Sequence, residues 1–316
     1  MPHAHERERQ SADAVLMIRP ARFGSNPETA DSNRFQHTEG IADAATAATR
    51  EFDALARRLA DAGVAVVVAE DSPAPAKPDA CFPNNWVSFH ADGTVVLYPM
   101  MAPSRRAERR REPIAAVERA GYRVVRTVDL SSLETRGEFL EGTGSLVLDR
   151  PRRTAYACRS PRTTAGAVAE FSAALGYRVV AFDANGPDGR PAYHTNVLMA
   201  IGQDFAVVCA DSIVAAAARA AVVEELGRDG TDVIAIDTAE MNGFAGNLLA
   251  LRTRGGDPLI AMSDAALRAL APEKLRRIER HGTILAVGIP TIERLGGGSV
   301  RCMLAELFLP SGSGGA

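Results

Sequence analysis

The chain has 316 residues, 46% of them hydrophobic, and its 36 basic and 39 acidic residues leave a formal charge of -3. That is enough apolar material for a packed core and too balanced a charge to draw the protein to nucleic acid or an anionic membrane, so a small-molecule partner is expected. The four cysteines, Cys81, Cys158, Cys209 and Cys302, form no Cys-x-x-Cys pair, which argues against a zinc knuckle or disulfide framework and for reduced thiols in a cytoplasmic protein.

Residues 1–12 are polar, mixed in charge and not followed by an apolar h-region, and are expected to form a disordered tail and not a signal peptide. A strand is predicted at 15–18, followed by a polar loop, a helix over about 41–62 that stops at Gly63, and a strand at 64–69. Strands at 86–89 and 94–98 read as a hairpin around Ala91-Asp92-Gly93, with a helix near 106–120 and a strand at 122–127 behind it. The order then recurs. Hairpins at 144–158, 197–209 and 248–262 are each followed by a helix (164–175, 213–226, 264–280) and a strand (177–182, 232–236, 283–287), and 299–308 opens a fifth unit. The N-terminal segment can supply the helix and strand that the fifth unit lacks.

Spacing supports the repeat. Gly144, Asn196, Asn247 and Ser299 stand at equivalent hairpin starts 52, 51 and 52 residues apart, and Asn85 precedes Gly144 by 59. A period this regular points to ββαβ units sharing one core, a single α/β domain over 13–310 with a flexible end at 311–316. No apolar run approaches the ~18 residues of a membrane span.

Reactive residue types gather at the start of the first strand of each unit: Asn84 and Asn85, then Glu141, then His194 and Asn196, then Cys302 behind Gly296-Gly297-Gly298. Three glycines in a row suit a backbone that takes φ > 0 or lies against a ligand. Units arranged in a ring would bring thiol, imidazole and carboxylate together, as nucleophilic catalysis requires. Each has a plainer reading: Cys302 as a small buried hydrophobe, His194 as a hydrogen-bonded structural residue, Asn84-Asn85 as a turn. The run from Arg105 to Arg111, interleaved with Glu108, reads as a solvated helix face from which one arginine could bind a carboxylate. The remaining histidines have no metal-ligand spacing, and neither a metal nor a cofactor is expected.

Phe82-Pro83-Asn84-Asn85-Trp86, residues 139–145, Tyr193-His194-Thr195-Asn196 and residues 296–303 together resemble the guanidino-group modifying superfamily of arginine deiminases, dimethylarginine hydrolases, amidinotransferases and succinylarginine dihydrolases. Within it, the pattern is most similar to the arginine-deiminase-related branch that includes citrulline-utilisation hydrolases. The resemblance implies a five-bladed α/β propeller with pseudo-fivefold symmetry, closed by the terminal segments. It implies Cys302 as nucleophile, His194 as acid/base and Glu141 as the carboxylate that holds substrate nitrogen. Arg162, and Arg105 or Arg106, match arginines that bind the substrate carboxylate.

Two aspartates that clamp a guanidinium in the deiminases are replaced by Asn85 and Asn196. An aspartate only accepts hydrogen bonds, whereas an asparagine also donates, and a ureido oxygen needs a donor. The expected activity is hydrolysis of citrulline to ornithine, carbon dioxide and ammonia through a covalent cysteine intermediate. An arginine deiminase, dimethylarginine hydrolase, succinylarginine-dihydrolase-like enzyme or amidinotransferase is the alternative, and a non-catalytic amino-acid sensor a third reading. No nucleic acid or membrane partner is expected, and assembly into a homo-oligomer is left open.

Overall fold

A computed structural model describes residues 8–37, 43–186 and 188–311. Among them the apolar runs form fifteen short strands: β1 (Ala14–Arg19), β2 (Ala65–Glu70), β3 (Val87–Phe89), β4 (Thr94–Leu97), β5 (Arg126–Asp129), β6 (Leu146–Asp149), β7 (Thr154–Cys158), β8 (Arg178–Phe182), β9 (Met199–Ile201), β10 (Phe205–Val208), β11 (Asp232–Ala235), β12 (Leu249–Arg252), β13 (Pro258–Ser263), β14 (Thr283–Val287) and β15 (Ala305–Glu306). They pair into five three-stranded mixed sheets, β3-β4-β5, β6-β7-β8, β9-β10-β11, β12-β13-β14 and β15-β1-β2. In every sheet the first strand is antiparallel to the second and the second parallel to the third. The fifth sheet keeps this order by taking its first strand from the C-terminal segment and the other two from the N-terminal segment, one strand more than the repeat required of it.

Alternation along the middle strands explains the packing. Side chains of period two face opposite sides of a sheet. Val15 and Met17 join an apolar cluster with Leu249, Leu259 and Leu285 of the fourth sheet, whereas Leu16 and Ile18 join Val87, Phe89 and Val95 of the first. Likewise Ala155 and Ala157 pack with Val96 and Tyr98, while Tyr156 and Cys158 pack with Phe205 and Val207. Leu259 and Ala261 share a cluster with β1, and Ile260 and Met262 share one with β10. The core therefore lies in the seams between neighbouring sheets. Among the described residues no helix is long and apolar enough to cross a membrane.

Several boundaries differ from the sequence reading. The helix expected at 106–120 is two pieces, Pro103–Arg106 and Arg111–Arg119, because Arg110 between them is extended. The helix expected at 264–280 is likewise split into Asp264–Ala269 and Pro272–Glu279, where Pro272 lacks the N–H needed to continue the first piece. Two further helices, Thr238–Asn242 and Pro290–Gly296, were not anticipated. The expected disordered tail over 1–12 is packed from its described part onward: Gln10 is buried and donates to Leu148 O at 2.9 Å, and Glu8 pairs with buried Arg150 at 3.0 Å. Residues 1–7, the start of the helix expected from 41, and residues 312–316 of the expected flexible end lie outside the described residues.

Candidate active site

Each sheet's first strand is preceded by a tight turn, and these turns meet at one place. They are the 3-10 turns Pro83–Asn85, Thr195–Val197 and Val300–Met303, the short helix Gly142–Ser145, and the turn ending at Asn247. Glu141 and His194 occupy the N-cap positions of their turns, and Cys302 lies within its own. The glycine run serves as its composition suggested. Gly297, at φ 65, ends helix Pro290–Gly296 in the left-handed conformation, and a Cβ on Gly298 would lie 2.9 Å from Phe82.

A narrow cavity of about 10 Å³ sits over these turns, lined by Thr29, Asn33, Asp79, Phe82, Asn85, Arg105, Arg162, Tyr193, His194 and Cys302 among others. On its floor His194 Nε2 meets Glu141 Oε2 at 2.8 Å, and both side chains are buried. Burial works against the charge on Glu141, but Arg162, His194 and Arg105 outweigh it and hold the carboxyl well below the usual range. Burial pushes His194 down to about 4 despite the opposing pull of Glu141. At neutral pH the pair is therefore a carboxylate and a neutral imidazole. An ionised carboxylate only accepts, so Nε2 carries the ring proton and Nδ1 keeps a lone pair. Room for that edge comes from Gly144, where a Cβ would lie 2.7 Å from His194 Nδ1 and 2.4 Å from Asn85 Nδ2.

Asn85 is oriented by its neighbour. Arg105 Nη1 donates to Asn85 Oδ1 at 2.7 Å, and since a guanidinium only donates, the amide nitrogen must face the other way. That nitrogen is buried and has no hydrogen-bond partner among the described residues. Arg105 itself is held by a two-pronged bond to Glu108 at 3.0 and 2.9 Å and a bond to Phe82 O. Expected to bind a substrate carboxylate, Arg105 lines the cavity and holds Asn85, and Glu108, expected on a solvated face, is buried. Arg106 is not among the cavity residues; it donates to Met100 O and Met101 O and pairs with Glu134. Arg162 does line the cavity, where it bonds Thr29 O, Ser32 Oγ and, at 3.4 Å, Glu141 Oε2.

Asn196 and Asn247 meet at the sulfur. Their Nδ2 atoms lie 3.4 and 3.3 Å from Cys302 Sγ. Asn196 was expected at the substrate, and its Oδ1 is free of partners among the described residues. Asn247 was recognised by its period but given no role. Ser299, the fifth periodic position, turns aside and donates to Glu293 at 2.7 Å.

Two other contributors were missed. Asp79 lines the cavity with Oδ1 buried and unpartnered, while its Oδ2 accepts from Asn26 at 2.8 Å. The segment read as a polar loop forms the cavity's cover. Asn26 caps helix Pro27–Ala30, Thr29 and Asn33 face the cavity, and Asn33 Nδ2 donates to Gly296 O at 3.2 Å. Asn26 followed by Pro27 and Glu28 is a helix-start signal in the sequence. Nothing local in Lys77-Pro78-Asp79 distinguishes Asp79.

Residues 19–309 match the family model described as N,N dimethylarginine dimethylhydrolase, eukaryotic. Against curated protein sequences the chain has no significant match. Among solved structures it is similar to the N-terminal domain of ArgZ, an arginine dihydrolase from the ornithine-ammonia cycle in cyanobacteria, with TM-score 0.72 and 15% identity over 94% of this chain and 99% of that one. Unliganded AgrE gives 0.73 and 17%, and a dimethylarginine dimethylaminohydrolase carrying an S-methyl-L-thiocitrulline adduct gives 0.65 and 15%, each over 94% of this chain. The chain spans only 41% of full-length ArgZ and 39% of AgrE, but 100% of the dimethylaminohydrolase. At these identities the likeness speaks to the fold.

Proposed function

The chain belongs to the N,N-dimethylarginine dimethylhydrolase family, within the amidinotransferase superfamily of arginine-modifying hydrolases that act on carbon–nitrogen bonds, and from that premise we propose a cysteine hydrolase that brings a citrulline side chain to ornithine. The observation that carries the substrate is Asn85 Nδ2, a buried donor, oriented by Arg105 and without a partner among the described residues, beside the His194 edge. A ureido oxygen would satisfy it, whereas a guanidinium has only donors to offer. Asp79 Oδ1 fits the α-ammonium, and Arg162 is the cation for the α-carboxylate.

In this reading Cys302 Sγ attacks the ureido carbon as His194 Nδ1 receives the thiol proton. The new sulfur–carbon bond forms, the carbonyl electrons move to oxygen opposite Asn85, and one carbon–nitrogen bond breaks with the proton passing from His194 to the leaving nitrogen. Water, deprotonated by the same imidazole, then displaces sulfur. Loss of the second nitrogen completes the balance: citrulline and water give ornithine, carbon dioxide and ammonia. Glu141 holds the imidazole in the required tautomer. The five sheets form, in this account, a five-bladed propeller closed by the terminal segments, a reading supported by the cyclic sharing of seam clusters.

A second reading, arginine entering first and passing through citrulline, is favoured by Asn196 Oδ1 and the ionised Glu141, both of which accept from a guanidinium. Ornithine and ammonia should be measured with citrulline, arginine and dimethylarginine supplied separately. Equal ornithine and ammonia from citrulline supports the proposal, and twice as much ammonia as ornithine from arginine adds the second reading. Arginine or dimethylarginine turnover that stops at citrulline would overturn both.

A further inference from the structure

Asn247 is fully buried and lies in none of the motifs that carry the family resemblance, yet it touches the sulfur. Its Nδ2 donates to the main-chain carbonyl of Asn196 at 3.0 Å and points at Cys302 Sγ at 3.3 Å. The carbonyl contact fixes the amide's orientation, since only the nitrogen can donate to it. The Oδ1 atom then lies 3.7 Å from the same sulfur, positioned to accept from a protonated thiol. Asn247 is delivered by an unusual turn: its N–H bonds Phe244 O at 2.8 Å, and Phe244 holds φ 67, a left-handed conformation that bulky residues rarely adopt. Phe244 is kept there by packing on Phe35, with ring centroids 5.0 Å apart, in the segment that covers the cavity. The observations converge on a side chain held in one orientation against a nucleophile.

We infer that Asn247 is a positioning residue for the nucleophile: with Asn196 it forms a two-amide clamp that holds the Cys302 sulfur in one place before substrate binds. The inference rests on Cys302 being the nucleophile. Two N–H donors that reach one sulfur from different turns restrict where it can sit, and an attacking atom must be aligned with the carbon it approaches. Because the clamp acts on sulfur and not on substrate, its loss should appear in kcat and in thiol reactivity and leave KM nearly unchanged.

Asn247→Asp keeps the size of the side chain, removes the donor and places an acceptor against the sulfur; Asn247→Ala removes the whole amide, its bond to the Asn196 carbonyl included. In the full chain, iodoacetamide alkylation of the peptide containing Cys302 should be followed by mass spectrometry across neutral to alkaline pH, beside kcat and KM. The expected result for Asn247→Asp is alkylation at neutral pH slowed about tenfold or more, kcat down by a similar factor, and KM within about threefold. Asn247→Ala should show the same directions to a smaller extent, and it carries the test if the aspartate variant does not fold. A folded variant with the wild-type alkylation profile, or one in which only KM moves, overturns the inference. Full turnover by Cys302→Ser would instead remove the nucleophile reading beneath it.

Discussion

Replacing Asn85 by aspartate tests the substrate reading at a single atom. Arg105 Nη1, 2.7 Å from Asn85 Oδ1, would retain one carboxylate oxygen, so the second oxygen takes the place of the free Nδ2. For citrulline an acceptor then faces an acceptor, and leaving the ureido oxygen unsatisfied costs about 1–3 kcal/mol. For arginine a carboxylate meets a guanidinium, a charge-assisted bond of about 1.5–3 kcal/mol. The added buried charge has Arg105 as a partner, which limits its desolvation cost. Since about 1.4 kcal/mol is tenfold in a ratio, the preference should move toward arginine by at least tenfold. Asn196→Asp is left out of the variant, because Asn196 donates to Cys302 Sγ and its loss would weaken the nucleophile as well. The assay is kcat/KM for both substrates in wild type and Asn85→Asp, with thermal unfolding to confirm the fold. A ratio that stays put, or moves toward citrulline, refutes the reasoning.

His194→Ala and Glu141→Gln should each lower kcat at least ~100-fold, and a change confined to KM would show that they only bind. Glu141→Gln also leaves buried Arg162 without its countercharge and should destabilise the fold by about 3–5 kcal/mol in denaturant titrations. Gly144→Ala drives a methyl against Asn85 Nδ2 and His194 Nδ1; a kcat loss on the order of 100-fold is expected from the displaced groups, and wild-type kcat would contradict the packing argument. Burial lowers His194 to about 4 and His90 to about 3. Unfolded histidines bind a proton near pH ~6.5, so between there and ~4 the unfolded state holds more protons and stability falls as pH falls, by about 3 kcal/mol for His194 alone. Unfolding free energies that are flat across that window would be inconsistent with a neutral buried pair.

Much of this architecture can be read from local patterns. The alternation in Val15-Leu16-Met17-Ile18 is what lets β1 face two seams, and the regular spacing of hairpin starts identified the repeating unit before its sheets were seen. Glu141, His194 and Cys302 were visible because each precedes an apolar strand in a comparable turn. What stayed hidden depends on distant partners. Asp79 is defined by Asn26, 53 residues away, and the covering segment by contacts with Gly296 and Arg162. The arginine run misled because Arg105 turns inward to Glu108 and Asn85, which no charge pattern encodes. Asn247 shows the intermediate case: the period placed it, but its approach to the sulfur at 3.3 Å depends on a turn from another sheet.

The central claim is that bonds to the substrate carbon pass through Cys302. Wild-type protein turning over citrulline should be quenched in acid and its peptides weighed. The account predicts a substrate-derived adduct on the peptide containing Cys302, absent in Cys302→Ser, which should release no ornithine. Ornithine formation by Cys302→Ser at the wild-type rate, with no adduct on any cysteine peptide, would contradict it.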